Sequence, residues 1–151
     1  MGLTGVSYNA AILATNKIAM KQAFMQGQVA TPDFKIVKSL KQAHAAFHKM
    51  TKPLMFKAID SSGSRGIIKV TMESQIQDAI KKINLVTKHK EFIIEEFING
   101  TEFGAQACVV ENSVQFIMPH GDIMFEGDAG VPVGHYVPYK LDIDIVNNVE
   151  F

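Results

Sequence analysis

Apolar side chains along the first hundred residues recur at helical spacing in some stretches and at strand spacing in others. A helix is predicted over Lys17–Gln26, because Thr15 or Asn16 can cap its start. A second helix is predicted where Ser39 and Gln42 form a capping box. The buried stripes expected for the second helix and for a third one are Leu40, Ala43, Phe47 and Met50, and Ile76, Ala79, Ile80 and Ile83.

Short apolar runs between these helices predict strands. The runs are Phe34–Val37, Leu54–Phe56, Ile67–Val70, Phe92–Ile94, Phe103–Val110 and Val114–Met118. Their short links favour antiparallel pairing with the helices on one face of the sheet, an α+β arrangement. Residues 1–14 have no clear period, and the chain beyond Gly121 is rich in glycine and proline and is expected to be loop-like.

Composition narrows the class of protein. The chain has 151 residues, enough for one domain with a real core, of which 47% are hydrophobic and 20% charged. The formal charge is zero, so nucleic acid is not a favoured partner, and no apolar run reaches membrane-spanning length. Cys108 is the only cysteine and cannot form an intramolecular disulfide, which favours a cytoplasmic location. A homo-oligomer remains open.

Lys57 follows an apolar strand and leads into the small-residue loop Ser61–Gly66. An ammonium group in apolar surroundings is costly unless an anion meets it, and a phosphate is one such anion. The glycines and serines of the loop let backbone amides approach anionic oxygens. Arg65 suits a terminal phosphate or a substrate carboxylate, or is solvated. For Lys57 the alternative is a lysine whose ammonium group reaches water. For the loop it is an ordinary hairpin turn.

Three carboxylates lie around the next strand end. Glu95 and Glu96 alternate across the strand, so one of them is expected to face inward, where it needs donors such as an adenine amino group. Glu102 follows a turn, and its carboxylate can accept hydrogen bonds from two ribose hydroxyls. The alternative is a set of exposed glutamates beside a turn.

Histidines offer weaker signals. His44 and His48 stand four residues apart, as helical metal ligands do, but no acidic or cysteine residue flanks them, so solvated side chains are predicted. His120 and His135 lie in the glycine-rich part of the chain and are candidates to face a substrate. No metal site is therefore predicted from the residues alone.

Taken in order, these motifs resemble the signature of ATP-grasp ligases over about residues 15–140. That superfamily includes biotin carboxylase, carbamoyl-phosphate synthase, D-alanine–D-alanine ligase and amino-acid ligases. The matching elements are Asn16-Lys17, Pro32, Pro53-Leu54-Met55-Phe56-Lys57, Ser62-Gly63-Ser64-Arg65-Gly66, and Ile94-Glu95-Glu96-Phe97-Ile98 with Gly100 and Glu102.

The resemblance implies two small α+β lobes with antiparallel sheets that grip ATP, the second lobe being incomplete here. Residues 1–14 would be a lead-in segment, 15–95 the first lobe with its phosphate loop, and 96–151 the hinge and part of the second lobe. The implied ATP contacts are Lys17 and Lys57 at the α- and β-phosphates, Ser62, Gly63, Ser64 and Gly66 over the β- and γ-phosphates, Glu95 by the adenine amino group, Glu96, Phe97 and Ile98 as hinge, and Glu102 at the ribose.

The implied reaction is phosphorylation of a small-molecule carboxylate by ATP, followed by attack of an amine or similar nucleophile, with Arg65 as the catalytic candidate. Family members hold Mg²⁺ on a glutamate followed by a Glu-x-Asn element, which this sequence lacks. We therefore expect a partial domain that is inactive alone, from a parent ligase whose metal ligands lie elsewhere. The alternatives are a non-catalytic binding or assembly module of the same fold and a phosphotransferase with the same nucleotide grip.

Overall fold

The computed structural model describes residues 5–124 and 132–139, and the chain divides into two compact units, Met1–Ile98 and Asn99–Phe151. None of the helices in these ranges is long and apolar enough to cross a membrane. The elements of the first unit are α1 (Tyr8–Thr15), α2 (Lys17–Gln26), β1 (Phe34–Val37), α3 (Leu40–Lys49), β2 (Leu54–Ala58), β3 (Ile67–Val70), a 3₁₀ turn (Glu73–Gln75), α4 (Ile76–Asn84) and β4 (Phe92–Glu96).

The first unit contains a four-stranded antiparallel sheet in the order β1-β4-β2-β3. Strands β2 and β3 form the hairpin predicted across the glycine loop, with Lys57 opposite Ile67. On its other side β2 pairs with β4, so that Lys57 lies opposite Ile93 and Met55 opposite Glu95. Lys57 is thus held in the middle of the sheet, near the end of β2.

The main core lies between one face of this sheet and helices α3 and α4. Side chains that alternate along the strands point to that face, and Leu54, Phe56 and Ile94 are fully buried. The helices contribute the rest of the cluster, chiefly Ala43, Ala46, Phe47, Ile76, Ala79 and Ile83. The predicted stripes are therefore largely confirmed, although Leu40 at the start of α3 is exposed.

Helix starts are set by side-chain caps. Asn16 Oδ1 accepts hydrogen bonds from the amides of Ile18 and Ala19 and caps the start of α2. Both ends of this helix agree with the prediction. At α3, Ser39 Oγ accepts from Gln42 N, but Gln42 Oε1 accepts from Lys38 N. The reciprocal half of the predicted capping box is therefore displaced by one residue.

The lead-in segment, for which the sequence shows no clear period, contains a helix. Ser7 Oγ accepts from Ala10 N and starts α1, which runs to Thr15. This helix buries none of its residues, so its sequence carries no periodic apolar stripe.

The second unit is a three-stranded antiparallel sheet of β5 (Gly104–Val110), β6 (Ser113–Met124) and β7 (Pro132–Tyr136), in that order. Glu111 and Asn112 both adopt positive φ and form the tight turn predicted between the first two strands. For the described residues beyond Gly121 the expected loop is wrong, because β6 continues through that glycine to Met124 and β7 pairs with it. The rest of this prediction falls on residues 125–131 and 140–151, which lie outside the described residues.

Candidate functional site

A charged cluster lies on the sheet face opposite the main core. Residues alternate between faces, so Lys57 of β2 and Glu95 of β4 project away from Phe56 and Ile94. Glu95 is the glutamate that faces inward, with 4% of its surface exposed, whereas Glu96 is half-buried on the other side. The expectation that one of this acidic pair turns inward is met by Glu95.

Glu95 binds two lysines. Its Oε1 contacts Lys57 Nζ, and its Oε2 lies 2.8 Å from Lys21 Nζ. Lys21 is itself buried, donates to Thr31 Oγ1 at 2.5 Å, and has its ammonium 5.4 Å from the centre of the Phe34 ring. Burial alone would raise the pKa of Glu95, but the hydrogen bonds and charges of the two lysines outweigh it and lower that pKa below its ordinary value.

Lys17 brings a third ammonium group to this cluster. Its backbone amide donates to Ile59 O at 2.9 Å, and its Nζ donates to Ser61 O at 2.6 Å. Burial lowers the pKa of Lys17, and repulsion from Lys57 lowers it further. Lys21 and Lys57 contact the buried carboxylate of Glu95, and Lys17 interacts electrostatically with Lys57, Asp60 and Glu95. Three ammonium groups against two carboxylates leave local positive charge.

The loop after β2 is shaped by residues with positive φ. Gly63, Ser64 and Gly66 all adopt such angles, and the amide of Ala58 donates to Gly66 O at 2.8 Å to close the loop. A Cβ on Gly66 would lie 2.9 Å from the Cβ of Ala58 and 2.6 Å from Val86 Cγ2. Gly63 has open space around it, so only the backbone requires glycine there.

Arg65 folds back over its own loop. Its Nε donates to Ser62 O at 3.2 Å, and its carbonyl oxygen accepts from Ser61 Oγ at 2.6 Å. The loop therefore joins Lys17 to the end of β2 through Ser61, while the guanidinium remains exposed. The assignment of Arg65, Ser62, Gly63, Ser64 and Gly66 to phosphate contacts stays a prediction.

The segment predicted to be the hinge begins at the last residue of β4. The amide of Glu96 donates to Asp33 O and that of Phe97 donates to Pro53 O, each at 3.0 Å. Lys69 Nζ lies 3.7 Å from the centre of the Phe97 ring, within the range of a cation–π contact. Ile98 is 64% exposed at the end of the first unit. The adenine contacts predicted for Glu96, Phe97 and Ile98 remain predictions.

Glu102 lies in the second unit, which has a polar cluster of its own. Asp122 Oδ1 is 3.0 Å from His120 Nδ1 and 2.7 Å from His135 Nδ1. The hydrogen bond with His135 is the main cause of the lowered pKa of Asp122. The ribose contact predicted for Glu102 and the substrate-facing position predicted for the two histidines remain predictions.

Sequence reasoning missed two features. In the sequence Lys21 does not differ from the other polar residues of its helix. Its contact with Glu95, the glutamate that faces inward, depends on the tertiary structure. His44 and His48 have side chains that are 39% and 61% exposed, in line with the predicted solvated positions, but both rings also contact Glu73, which the sequence did not indicate. That glutamate is distant in sequence and reaches them through packing of α3 against the segment that starts α4.

Comparison with known proteins identifies the fold. The model of the phosphoribosylglycinamide synthetase ATP-grasp (A) domain family matches residues 15–141. A D-alanine–D-alanine ligase from Geotalea uraniireducens is 27% identical over 152 aligned residues, which cover 97% of this chain and 47% of that protein. The chain therefore spans about half the length of this relative.

Two solved structures extend the similarity. Phosphoribosylglycinamide synthetase from Anaerococcus prevotii aligns with a TM-score of 0.67 and 37% identity, over 96% of this chain and 36% of that one. N5-carboxyaminoimidazole synthetase from Staphylococcus aureus, solved with ADP, aligns with a TM-score of 0.73 and 16% identity, over 94% and 37%. The second likeness concerns the fold alone.

Proposed function

Because this chain belongs to the ATP-grasp family of the phosphoribosylglycinamide synthetase A domain, we propose that it is the ATP-binding portion of a ligase that activates a carboxylate. The observation that carries the proposal is the pair of ammonium groups, from Lys21 and Lys57, on the buried carboxylate of Glu95, together with Lys17, which interacts electrostatically with Lys57 and Glu95. A surplus of positive charge at low solvent exposure suits the polyphosphate of a nucleotide.

Lys57 and Lys17 are the proposed phosphate ligands. Lys57 retains about a quarter of its side-chain exposure and has three donors, so its contact with Glu95 leaves donors for a phosphate oxygen. Lys17 donates to Ser61 O, so its charge lies at the start of the small-residue loop. Lys21 is more deeply buried and is committed to Glu95 and Thr31, so its proposed part is to hold the carboxylate in place.

The proposed contacts with the nucleoside involve the segment Glu96, Phe97 and Ile98. The amides of Glu96 and Phe97 already donate to Asp33 O and Pro53 O, so we assign the amide that meets the adenine edge to Ile98. Glu95 retains lone pairs for the adenine amino group beyond those used by its lysines. The ribose contact of Glu102 remains part of the proposal.

The proposed reaction of the whole protein transfers the γ-phosphate to a small-molecule carboxylate. The carboxylate oxygen attacks the γ-phosphorus and ADP leaves, after which an amine attacks the acyl carbon and phosphate leaves. Lys17 and Lys57 would neutralise charge that develops on the phosphates during the first step, and the loop with Arg65 would exclude water and orient the γ-phosphate. The single cysteine is consistent with a cytoplasmic site for this chemistry.

Magnesium accompanies ATP in ligases of this kind, but among the described residues of the first unit no group of oxygen ligands gathers beside Lys17 and Lys57. The buried carboxylate nearest the phosphate lysines, Glu95, is already neutralised by two ammonium groups. Mg²⁺ prefers carboxylate oxygens in octahedral geometry. We therefore derive no catalytic step through the metal from these residues.

Nucleotide titration of the full chain tests the proposal. Hydrogen bonds to charged groups are worth about 1.5–3 kcal/mol, so Lys57→Met and Lys17→Met should each weaken ATP binding by about 10–100-fold. Lys38→Met is the matched control, because Lys38 forms a comparably short ion pair with Glu91 on an exposed surface. Isothermal titration calorimetry with ATP measures all four proteins. Equal affinities for wild type and the two site variants would refute the assignment.

A further inference from the structure

Apart from the cluster of lysines around Glu95, the first unit has a group of side chains of the types that bind metals. His44 Nδ1 and His48 Nε2 lie 2.7 Å and 3.0 Å from the same oxygen of Glu73. The available ligand atoms of the three residues all fall within 4.8 Å of one another. From this geometry we propose a binding site for a divalent transition metal, with Zn²⁺ as the reference ion.

The chemistry of the three groups favours zinc over magnesium or calcium. Two imidazoles and one carboxylate form a set that binds Zn²⁺ in proteins, with nitrogen and oxygen at about 2.0–2.2 Å from the metal and a fourth position for water. Magnesium and calcium prefer sites made of oxygen atoms. Among the ion pairs of the described residues, Glu73 meets only these two imidazoles, so no lysine or arginine competes for its charge.

The fold fixes the spacing of the ligands. His44 and His48 are one helical turn apart on α3, which puts both rings on the same side of the helix. Their neighbours Ala43 and Phe47 are buried in the core, and so is Ile76, three residues after Glu73. The packing of α3 against the start of α4 therefore brings together ligands that are 25 and 29 residues apart.

The ligands also have room to move onto an ion. Their side chains are between 39% and 61% exposed, so each can adjust without disturbing the core. Ligand atoms around a tetrahedral Zn²⁺ stand about 3.3 Å apart, given the usual bond lengths. The observed contacts are shorter than that, so a small outward shift of the rings and the carboxylate opens the space for the metal.

This site is separate from the proposed nucleotide site. Helix α3 packs on the sheet face formed by Phe56 and Ile94, whereas Lys57 and Glu95 project from the opposite face. A bound metal would join α3 to the 3₁₀ turn before α4, and the core residues Phe47 of α3 and Ile76 of α4 lie next to these two attachment points. Its expected effect is stabilisation of the first unit, because an ion that binds only the folded form shifts the unfolding equilibrium.

Metal titration of the full chain tests the inference. ZnCl₂ should bind with a saturable isotherm, and His44→Gln, His48→Gln and Glu73→Gln should each weaken binding by about tenfold or more, since each removes one of three ligands. Zinc at about a hundredfold over its dissociation constant stabilises the folded form by about 2.7 kcal/mol, so it should raise the unfolding temperature of the wild type by about 5–11 °C and that of the three site variants by about half as much or less. CoCl₂, whose visible absorption reports nitrogen and oxygen ligation, gives an independent readout.

Two control variants distinguish this site from other histidines. His89→Gln removes an exposed histidine that lies 3.6 Å from Asp60. His135→Gln removes a ligand of the other histidine–carboxylate cluster, His120, Asp122 and His135. Both controls should retain the zinc-dependent rise in unfolding temperature. The inference is overturned if wild type shows no saturable binding, if the three site variants bind like wild type, or if His135→Gln alone abolishes binding.

Discussion

Replacement of Glu95 by glutamine tests the electrostatic organisation of the first unit. The substitution keeps the shape of the side chain and removes its charge, which leaves Lys21 with no anionic partner among the described residues. Lys21 is 7% exposed in its side chain, so its ammonium cannot regain water without rearrangement. Breaking a buried ion pair by removing one partner typically costs about 3–5 kcal/mol. We expect the lower end, because glutamine still accepts a hydrogen bond.

The matched control is Glu91→Gln. The Lys38–Glu91 pair has an N···O distance of 2.7 Å, close to the 2.8 Å of the Lys21–Glu95 pair, but its side chains are 63% and 38% exposed. Exposed pairs of this kind contribute about 0.2–1 kcal/mol. Comparison of the two variants therefore measures the combined effect of burial and of the second contact of Glu95, with Lys57, because the N···O distances of the Lys21 and Lys38 pairs are nearly equal.

Urea unfolding followed by circular dichroism measures both variants. With an m-value of about 2 kcal/mol/M, Glu95→Gln should lower the urea midpoint by roughly 1.5 M, and Glu91→Gln by less than about 0.5 M. The double variant Lys21→Met/Glu95→Gln should recover much of the loss, since apolar replacement of a buried pair is often neutral. Equal losses for Glu95→Gln and Glu91→Gln would show that the buried pair has no special weight.

The same variant makes a prediction about acid. The lysines hold the pKa of Glu95 below its ordinary value, so its stabilisation is fully present above the unfolded-state value of about 4.3. It is lost as the pH falls from there through the lower folded-state pKa. Below pH 4.5 the stability of wild type should therefore fall more steeply than that of Glu95→Gln, and parallel curves would contradict the assigned direction.

Three further predictions concern the loop, the site and the core. Gly66→Ala should lower the free energy of unfolding by about 2–4 kcal/mol, because its Cβ would overlap packed atoms and its φ is positive. Gly63→Ala, which has open space and only the positive φ, should cost about 1 kcal/mol, and thermal unfolding compares the two variants. ATP should raise the pKa of Lys17 from its lowered value, because phosphate favours the charged form, and NMR titration of the lysine side chains with and without ATP measures the direction. Phe56→Ala should cost about 3–5 kcal/mol in urea unfolding, while Ile36→Ala at a 37% exposed position should cost much less.

Elements with strong local signals were predictable from the sequence. Helix α4 shows Ile76, Ala79 and Ile83 at helical spacing, and all three are buried where it packs on the sheet. Helix α2 has Asn16 as its cap, and the structure confirms both of its bounds. In these segments local preference and tertiary packing favour the same conformation, so the pattern of single residues is sufficient.

Elements without such signals were missed for physical reasons. Helix α1 buries no residue, so it has no apolar stripe to detect. Strand β7 begins at Pro132 and includes Gly134, residue types that usually indicate turns, and it is held by pairing with β6. The contact of Glu73 with two histidines depends on the packing of distant segments, which single-sequence spacing does not encode.

The partners of Glu95 explain how the same residues could serve both the folded state and a nucleotide. Without a nucleotide, Lys57 and Lys21 would repel each other in a partly dry environment, and the carboxylate between them offsets that repulsion. When phosphate oxygens approach, Lys57 can direct its remaining donors outward while its contact with Glu95 fixes the direction of its side chain. Glu95→Gln should therefore have two opposing effects on ATP binding. The greater net positive charge strengthens it, and the loss of a fixed orientation for the Lys57 side chain weakens it. Because a positioned ammonium loses less entropy on binding than a mobile one, we expect the second effect to dominate and ATP affinity to fall.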